Sequence, residues 1–290
     1  MRKVGVCLGL LGFLTACSQA ALNLLGPGGR YHVVRDMAYG ADPRQKLDLY
    51  VPDNLADPAP VLLFFYGGSW TGGSKARYFA FGQAFASKGI IIAVADYRLY
   101  PLVRYPAFVE DGAQAFAWLH TYAGTYGGDA DRIFLAGHSA GAYIAVMLAA
   151  DRSYLAATGL DPASVRGVIG ISGPYDFLPL RDDELIAIFS GANRRETQPI
   201  DYIDGVRPPM LLETGTEDTI VSPANTSRLA ARLRSLGSPV EERQYSGIGH
   251  IGIILSLLPG LRGRTHLYSD MLEFVRSDGA SVASRQGALR

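Results

Sequence analysis

Continuous apolar runs alternate with helix-length segments along most of the chain. Several runs are apolar at almost every position, which is typical of strands that lie in a parallel sheet with both faces covered. The clearest of these runs are residues 61–65, 90–95, 133–136 and 210–214. Because the segments between them are long enough for helices, the pattern predicts a largely parallel sheet flanked by helices.

Further strands and helices complete this alternation. Residues 31–39 and 47–51 predict two strands joined by a turn, and the second alternates apolar and polar positions as a half-buried strand does. Residues 165–172 predict another strand. Residues 240–245 are of mixed polarity, which favours the edge of the sheet, and residues 129–132 are predicted to be a turn. The predicted helices cover residues 77–88, 109–122, 143–150, 223–236 and 267–275.

Residues 177–208 interrupt the alternation, because their periodicity is weak apart from an apolar run at 185–189 that predicts a short helix. We interpret them as a small, lid-like insert within a single domain of residues 31–277. Their apolar side chains could line a pocket or could simply pack, and the sequence leaves both alternatives open. The tail, residues 278–290, is predicted to be flexible.

The N-terminal segment has the features of a targeting signal. Two positive charges, Arg2 and Lys3, precede an apolar stretch that is too short for a comfortable membrane span. The stretch ends in Leu-Thr-Ala followed by Cys17, which resembles the bacterial lipobox. The resemblance implies a lipoprotein signal peptide at residues 1–16, lipid attached to Cys17 and a tether at residues 17–30. The alternatives are an ordinary signal peptide with an incidental cysteine and a cytoplasmic start.

Lipid on Cys17 would anchor the protein in the bacterial cell envelope, on the periplasmic side or at the outer membrane. The only other cysteine, Cys7, lies in the segment that would be removed. The remaining chain therefore offers no disulfide, thiol nucleophile or cysteine-based metal site. Its composition, 48% hydrophobic over 290 residues, suits a sizeable core, and 27 basic residues balance 27 acidic ones. This balance argues against an electrostatic nucleic-acid partner.

The segment 137–141, Gly-His-Ser-Ala-Gly, joins an apolar strand to a helix rich in small residues. A strand, a sharp turn and a helix form the context in which a G-x-S-x-G motif presents a nucleophilic serine. Gly137 and Gly141 remove Cβ atoms that would collide in so tight a turn. The helix N-terminus adds a partial positive charge beside Ser139, where negative charge would develop during acyl transfer. Ser139 is therefore the candidate nucleophile.

A glycine-rich loop directly follows the apolar run at 61–65. Its sequence, Tyr66-Gly67-Gly68-Ser69-Trp70, places several unencumbered amides at the end of a central strand. Such a loop can direct its N–H groups at a developing oxyanion, as the HGGG-type loop of lipases and esterases does. The loop has tyrosine where that motif has histidine, and serine at the third glycine position. The alternative is a plain glycine-rich turn with a tryptophan in the core.

Two further candidates, Asp218 and His250, follow the strands predicted at residues 210–214 and 240–245. Functional residues of parallel sheets lie in loops at the carboxyl ends of the strands, so we expect both residues near Ser139. The rival histidines are His32, His120, His138 and His266, and the rival acids are Asp176 and Glu217. The preferred order, Ser then Asp then His, is that of an α/β-hydrolase.

On these motifs the chain resembles α/β-hydrolases of the carboxylesterase and lipase type. It is most similar to the branch with an H-G-G-x-W loop, which includes small bacterial esterases and kynurenine formamidase-like enzymes. The matching positions are residues 67–70, 96–99, 137–141, Asp218 and His250. The resemblance covers about residues 31–275, and it implies an α/β-hydrolase fold with a mostly parallel eight-stranded sheet flanked by helices.

The resemblance also implies roles for these residues. Ser139 would attack a carbonyl carbon, His250 would take and return the proton, and Asp218 would orient the imidazole. The oxyanion would be bound by backbone N–H groups drawn from Gly67, Gly68, Ser69 and Ala140. This chemistry needs no metal and no organic cofactor.

The implied function is that of a serine carboxylic ester hydrolase acting on small or medium esters through an acyl-enzyme. An amidase, formamidase or peptidase would use the same triad, so the sequence does not separate these alternatives. A non-catalytic lipoprotein of the cell envelope is the third alternative, and labelling by a fluorophosphonate would distinguish it.

Overall fold

An eight-stranded sheet forms the centre of the computed structural model, which describes residues 30–282. Its strands are β1 (Tyr31–Ala38), β2 (Lys46–Pro52), β3 (Ala59–Phe65), β4 (Ile91–Ala95), β5 (Gly128–His138), β6 (Val165–Ile171), β7 (Met210–Gly215) and β8 (Val240–Tyr245). They lie in the order β1-β2-β4-β3-β5-β6-β7-β8. Only β2 is antiparallel to its neighbours, β1 and β4. The predicted mostly parallel sheet is therefore confirmed.

Helices follow most of the strands and cover the sheet. They are α1 (Phe79–Ala86), α2 (Ala107–Tyr122), α3 (Ala140–Ala150), α4 (Ser153–Ala156), α5 (Asp183–Ile188), α6 (Ala224–Ser235), α7 (His250–Leu255) and α8 (Leu267–Arg276). Every residue of α3 is buried, which explains why it carries no charged side chain. In contrast, α8 buries only one face, formed by Leu267, Met271, Phe274 and Val275.

The core lies along the central strands, as their continuous apolar sequences predict. All five residues of β4 are buried, and β3 is buried from Val61 to Phe65. The last strand, β8, is the edge of the sheet and exposes part of its polar residues. Its mixed polarity is thus explained by its position.

The predicted turn at residues 129–132 lies inside β5, and this prediction was wrong. Ala59 pairs with Gly128, and the next pair joins Val61 to Ile133, so β5 carries three residues more than β3 over this interval. Such an excess is a bulge in the ladder. The Asp131 amide donates to the side chain of Asp129 there, which is the local hydrogen bond that turn-forming residues make.

The insert at residues 177–208 packs onto the domain rather than standing apart from it. Its short helix, α5, begins at Asp183, two residues before the predicted run at 185–189, and ends at Ile188. Asp182 caps the helix by accepting the Leu185 amide. Ile188, Phe189 and Ile203 are fully buried. Apolar burial therefore holds this segment in place.

The two ends of the chain differ in what the structure describes. Residues 1–29, with the predicted signal peptide, Cys17 and nearly all of the tether at 17–30, lie outside the described residues. The predicted tail begins at Asp278, but this residue accepts a hydrogen bond of 2.9 Å from Arg132, and Val282 is buried. The packed chain thus extends at least to Val282. Over residues 30–282, no helix is both long and apolar enough to cross a membrane.

Candidate active site

Ser139 occupies the turn between β5 and α3 in a conformation that few residues adopt. Its φ is 55° and its ψ is −122°. A Cβ on Gly137 would lie 2.2 Å from the carbonyl group of Gly141, and a Cβ on Gly141 would lie 2.0 Å from the Phe65 oxygen. Both positions therefore require glycine, and the serine is held at the carboxyl edge of the sheet.

Ser139, His250 and Asp218 form one continuous hydrogen-bonded chain. His250 Nε2 lies 2.8 Å from Ser139 Oγ, and His250 Nδ1 lies 2.7 Å from Asp218 Oδ2. All three side chains are buried. A carboxylate can only accept, so Nδ1 carries the hydrogen and Nε2 is free to accept the serine proton. The structure thus brings together the three residues that the sequence singled out.

Asp218 is held by more than its bond to His250. Its second oxygen, Oδ1, accepts the backbone amides of Ile220 at 3.0 Å and Val221 at 2.9 Å. Burial alone would raise the pKa of Asp218, but the hydrogen bonds from His250 and from these two amides outweigh it, so the pKa is lowered. The group therefore stays ionised beside the imidazole.

The glycine-rich loop lies directly against the nucleophile. A Cβ on Gly67 would be 2.9 Å from Ser139 Cβ, so no side chain fits there. The loop then turns tightly, with φ of 138° at Gly68 and 51° at Ser69. Across from it, Ala140 is the first residue of α3, so its amide has no acceptor within that helix.

Tyr78 lies beside the start of the glycine-rich loop, and its ring stacks on that of Tyr66 with the centroids 5.8 Å apart. Burial raises the pKa of the Tyr78 phenol, and the nearby Gly67 backbone partly offsets this rise. The predicted donors to an oxyanion are the backbone amides of Gly67, Gly68, Ser69 and Ala140.

Tyr66, which occupies the position of the histidine in the lipase motif, anchors the start of this loop through hydrogen bonds. Its hydroxyl donates to Asp96 Oδ1 at 2.7 Å and accepts from Arg44 at 2.7 Å. The Lys75 amide donates to the same Asp96 oxygen, and the Tyr97 hydroxyl donates to the Tyr66 carbonyl. The substitution of histidine by tyrosine is therefore accommodated by a partly buried hydrogen-bond network that fixes both ends of the loop.

Aromatic side chains pack beside the loop and join it to the insert. Trp70 is only 3% exposed, and its ring centroid lies 4.9 Å from that of Phe189 and 5.3 Å from that of Tyr143. Phe177 also packs on Phe189, at 5.4 Å. Of the two alternatives for the insert, its aromatic residues pack, and they do so around the tryptophan of the loop.

The rival histidines and acids do not take part in the hydrogen-bonded chain of Ser139, His250 and Asp218. His32 contacts Asp53 at the surface, and Asp176 pairs with Arg228. The exposed rivals are Glu217 and His266, and His120 is half-buried in α2. His138 differs, because its ring reaches the main chain of His250, a contact that the sequence did not suggest. Ser139 and His138 thus both contact His250, the first at its ring and the second at its main chain.

The sheet, the strained serine turn and the chain order of the hydrogen-bonded residues define an α/β-hydrolase of the carboxylesterase type. The chain belongs to the BD-FAE family, whose family model matches residues 47–233.

Curated relatives carry esterase names. The chain is 30% identical to the probable isoprenylcysteine alpha-carbonyl methylesterase ICMEL1 of Arabidopsis thaliana, over 88% of this chain and 59% of the relative. It is 31% identical to Esterase LipC of Mycobacterium tuberculosis, over 76% of this chain and 60% of the relative. The chain thus spans about three fifths of the length of these relatives.

Solved structures share the fold. Esterase B from Lactobacillus rhamnosis superposes with a TM-score of 0.75 at 19% identity, covering 94% of this chain and 96% of that one. The Pyrobaculum calidifontis esterase gives a TM-score of 0.72 at 20% identity, with 90% of each chain covered. At these identities the likeness concerns the fold alone.

Proposed function

We propose that this protein is a serine carboxylic ester hydrolase that works through a covalent acyl-enzyme. The observation that carries the proposal is the unbroken chain of hydrogen bonds from Ser139 Oγ through His250 to Asp218, at 2.8 and 2.7 Å. Membership of the BD-FAE family and the esterase names of its relatives support the same reaction class.

Acylation begins at Ser139. As Oγ attacks the ester carbonyl carbon, His250 Nε2 takes the hydroxyl proton, and Asp218 stabilises the resulting imidazolium. The electron pair of the carbonyl moves onto its oxygen. When the tetrahedral intermediate collapses, the bond to the alcohol oxygen breaks, and the imidazolium returns the proton to that oxygen. The alcohol leaves, and the acyl group stays on Ser139.

Deacylation repeats these steps with water in place of the serine. His250 removes a proton from the water molecule as it attacks the acyl-enzyme, and Ser139 Oγ is the leaving group that receives the proton. In both steps negative charge develops on the carbonyl oxygen. The proposed donors to that oxygen are the amide of Ala140 and amides of the loop, drawn from Gly67, Gly68 and Ser69, and the start of α3 adds its dipole.

Small acyl groups are the proposed substrates. The space beside the loop is filled by large rings, because Trp70, Tyr143 and Phe189 are all almost completely buried against one another. A long acyl chain on that side would have to displace well-packed aromatic side chains, at a cost in packing free energy.

We expect p-nitrophenyl acetate and butyrate to be hydrolysed with higher kcat/KM than the octanoate and longer esters. The measurement is the release of p-nitrophenol across the acyl series, with Ser139→Ala protein as the blank. A maximum at long chains would contradict the small-acyl proposal. Labelling of Ser139 by a fluorophosphonate without hydrolysis of any ester would contradict the ester specificity itself and redirect the search to amides.

We also propose that Cys17 carries lipid and holds the protein at the bacterial envelope. The support is the lipobox-like sequence alone. Replacement of Cys17 by serine in the full chain is expected to move the protein from the membrane pellet to the soluble fraction after cell lysis. The matched control is Ser18→Ala, which leaves the modified position intact. Retention of the Cys17→Ser protein in the pellet would contradict lipid anchoring.

A further inference from the structure

His138 immediately precedes the nucleophile, and its imidazole ring is buried. Its Nε2 atom lies 3.0 Å from the main-chain carbonyl oxygen of His250. The centroids of the two imidazole rings are 4.8 Å apart, and their planes are inclined by 40°. The nucleophile turn is therefore joined to His250 twice, through the side chain of Ser139 and through the ring of its neighbour.

The protonation of His138 is fixed by these surroundings. Burial, aided by the neighbouring His250 ring, lowers the pKa of His138 to about 3. The ring of His138 is therefore neutral at neutral pH. A carbonyl oxygen only accepts hydrogen bonds, so the single ring hydrogen is on Nε2 and is donated to His250.

The other ring nitrogen, Nδ1, faces the glycine-rich loop. A Cβ on Gly67 would lie 3.0 Å from His138 Nδ1. The ring thus fills the space between the loop and the first turn of α7, with no room for a residue larger than glycine on the loop side. On the outer side of α7, Ile251 is 50% exposed and Leu255 is 43% exposed. This short helix therefore has little packing on that side to hold it.

We infer that His138 is a positioning residue, whose Nε2–H group holds the His250 main chain at the distance that proton transfer from Ser139 requires. The inference rests on the proposed function and adds a fourth residue to its machinery. Without the bond, the start of α7 can move away from the nucleophile turn. A displacement of about 1 Å at the reacting groups can reduce the rate by about 100-fold.

Three substitutions separate the hydrogen bond from simple filling of space. His138→Phe keeps a flat ring without a donor. His138→Gln places an amide N–H group near the position of Nε2, whereas His138→Asn is shorter and places it near Nδ1. We expect fluorophosphonate labelling of Ser139 to slow by about 10- to 100-fold in the Phe and Asn variants. The Gln variant should stay within about three-fold of the wild-type rate, because it restores the donor.

Two further readouts distinguish positioning from a purely structural role. For ester hydrolysis, kcat should fall with the labelling rate while KM stays within about two-fold, since substrate binding does not need the bond. The low-field proton NMR signal of the His250 Nδ1–H group should shift in the Phe variant and be recovered in the Gln variant. Melting temperatures of all variants identify any loss that comes from unfolding.

A Phe variant that labels at the wild-type rate would overturn the inference. A Gln variant as slow as the Phe variant would also overturn it, since filling of space would then be the whole effect. Labelling tests the inference separately from the proposed function. If the wild type takes the label but hydrolyses no ester, the ester proposal fails while the labelling rates still decide the role of His138. If the wild type takes no label, both fail.

Discussion

Replacement of Ser139 by alanine is expected to lower kcat for ester hydrolysis by about 10⁵- to 10⁶-fold, because the oxygen that forms the acyl-enzyme is removed. Alanine can keep the backbone conformation that serine has at φ 55°. Both residues carry a Cβ, and alanine lacks only the hydroxyl oxygen, so the substitution adds no steric clash. The fold should therefore survive. The measurements are steady-state hydrolysis of p-nitrophenyl acetate, fluorophosphonate labelling and the melting temperature.

Ser172 provides the matched control. It is also a buried serine with positive φ, 49°, and it directly follows the neighbouring strand, β6. Its hydroxyl has no hydrogen-bond partner among residues 30–282, so no base activates it. We expect Ser172→Ala to hydrolyse esters within about two-fold of wild type. Loss of activity in Ser172→Ala together with retention in Ser139→Ala would show that the nucleophile is Ser172, after β6, and not Ser139.

Asp218→Asn is expected to lower kcat by about 10⁴-fold through the tautomer of His250. In the wild type, Asp218 Oδ1 accepts two backbone amides, from Ile220 and Val221, while Oδ2 accepts from His250. An asparagine in this place must keep its only oxygen toward the two amides. Its NH₂ group then faces His250 Nδ1 and forces the ring hydrogen onto Nε2, where it blocks acceptance of the serine proton.

The adjacent acid, Glu217, is the matched control for this prediction. It is exposed, and removal of its charge by Glu217→Gln leaves the hydrogen bonds of Asp218 untouched. We expect that variant to keep kcat within about two-fold of wild type. A ten-fold loss or less in Asp218→Asn would show that Asp218 does not set the tautomer, and Asp218→Ala would then report whether any acid is needed at this position.

Much of the fold could be predicted because the buried strands of a parallel sheet have continuous apolar sequences. The runs at 61–65 and 210–214 became β3 and β7 with small changes at their ends. The carboxyl edge of such a sheet gathers the loops that follow each strand, so Ser139, Asp218 and His250 could be placed together from topology alone.

The misplaced turn at 129–132 shows where local signals fail. Asp129 and Asp131 do form the short-range hydrogen bond that favours turns, but the pairing of β5 with β3 continues around it as a bulge. Register depends on the partner strand, which a local pattern does not contain.

Contacts between distant residues were equally hidden. Tyr66 meets Asp96 across 30 positions, and His138 meets His250 across 112. Neither contact produces a periodic pattern in the sequence, because each depends on the direction in which one side chain points from the end of its strand. The signals in the sequence were a histidine next to the candidate nucleophile and a tyrosine in place of a motif histidine.

The direction of β1 has a practical consequence for any attached form of this protein. Because β2 is antiparallel to both β1 and β4, β1 runs with the parallel strands and starts at their amino edge. Tyr31 there pairs with Pro52, far from the edge that holds Ser139. A bead, a surface or a fusion partner joined directly ahead of Arg30 is therefore attached at the amino edge of the sheet, opposite the edge that holds Ser139. Immobilised this way, the protein would present its nucleophile outward to dissolved or polymeric substrates.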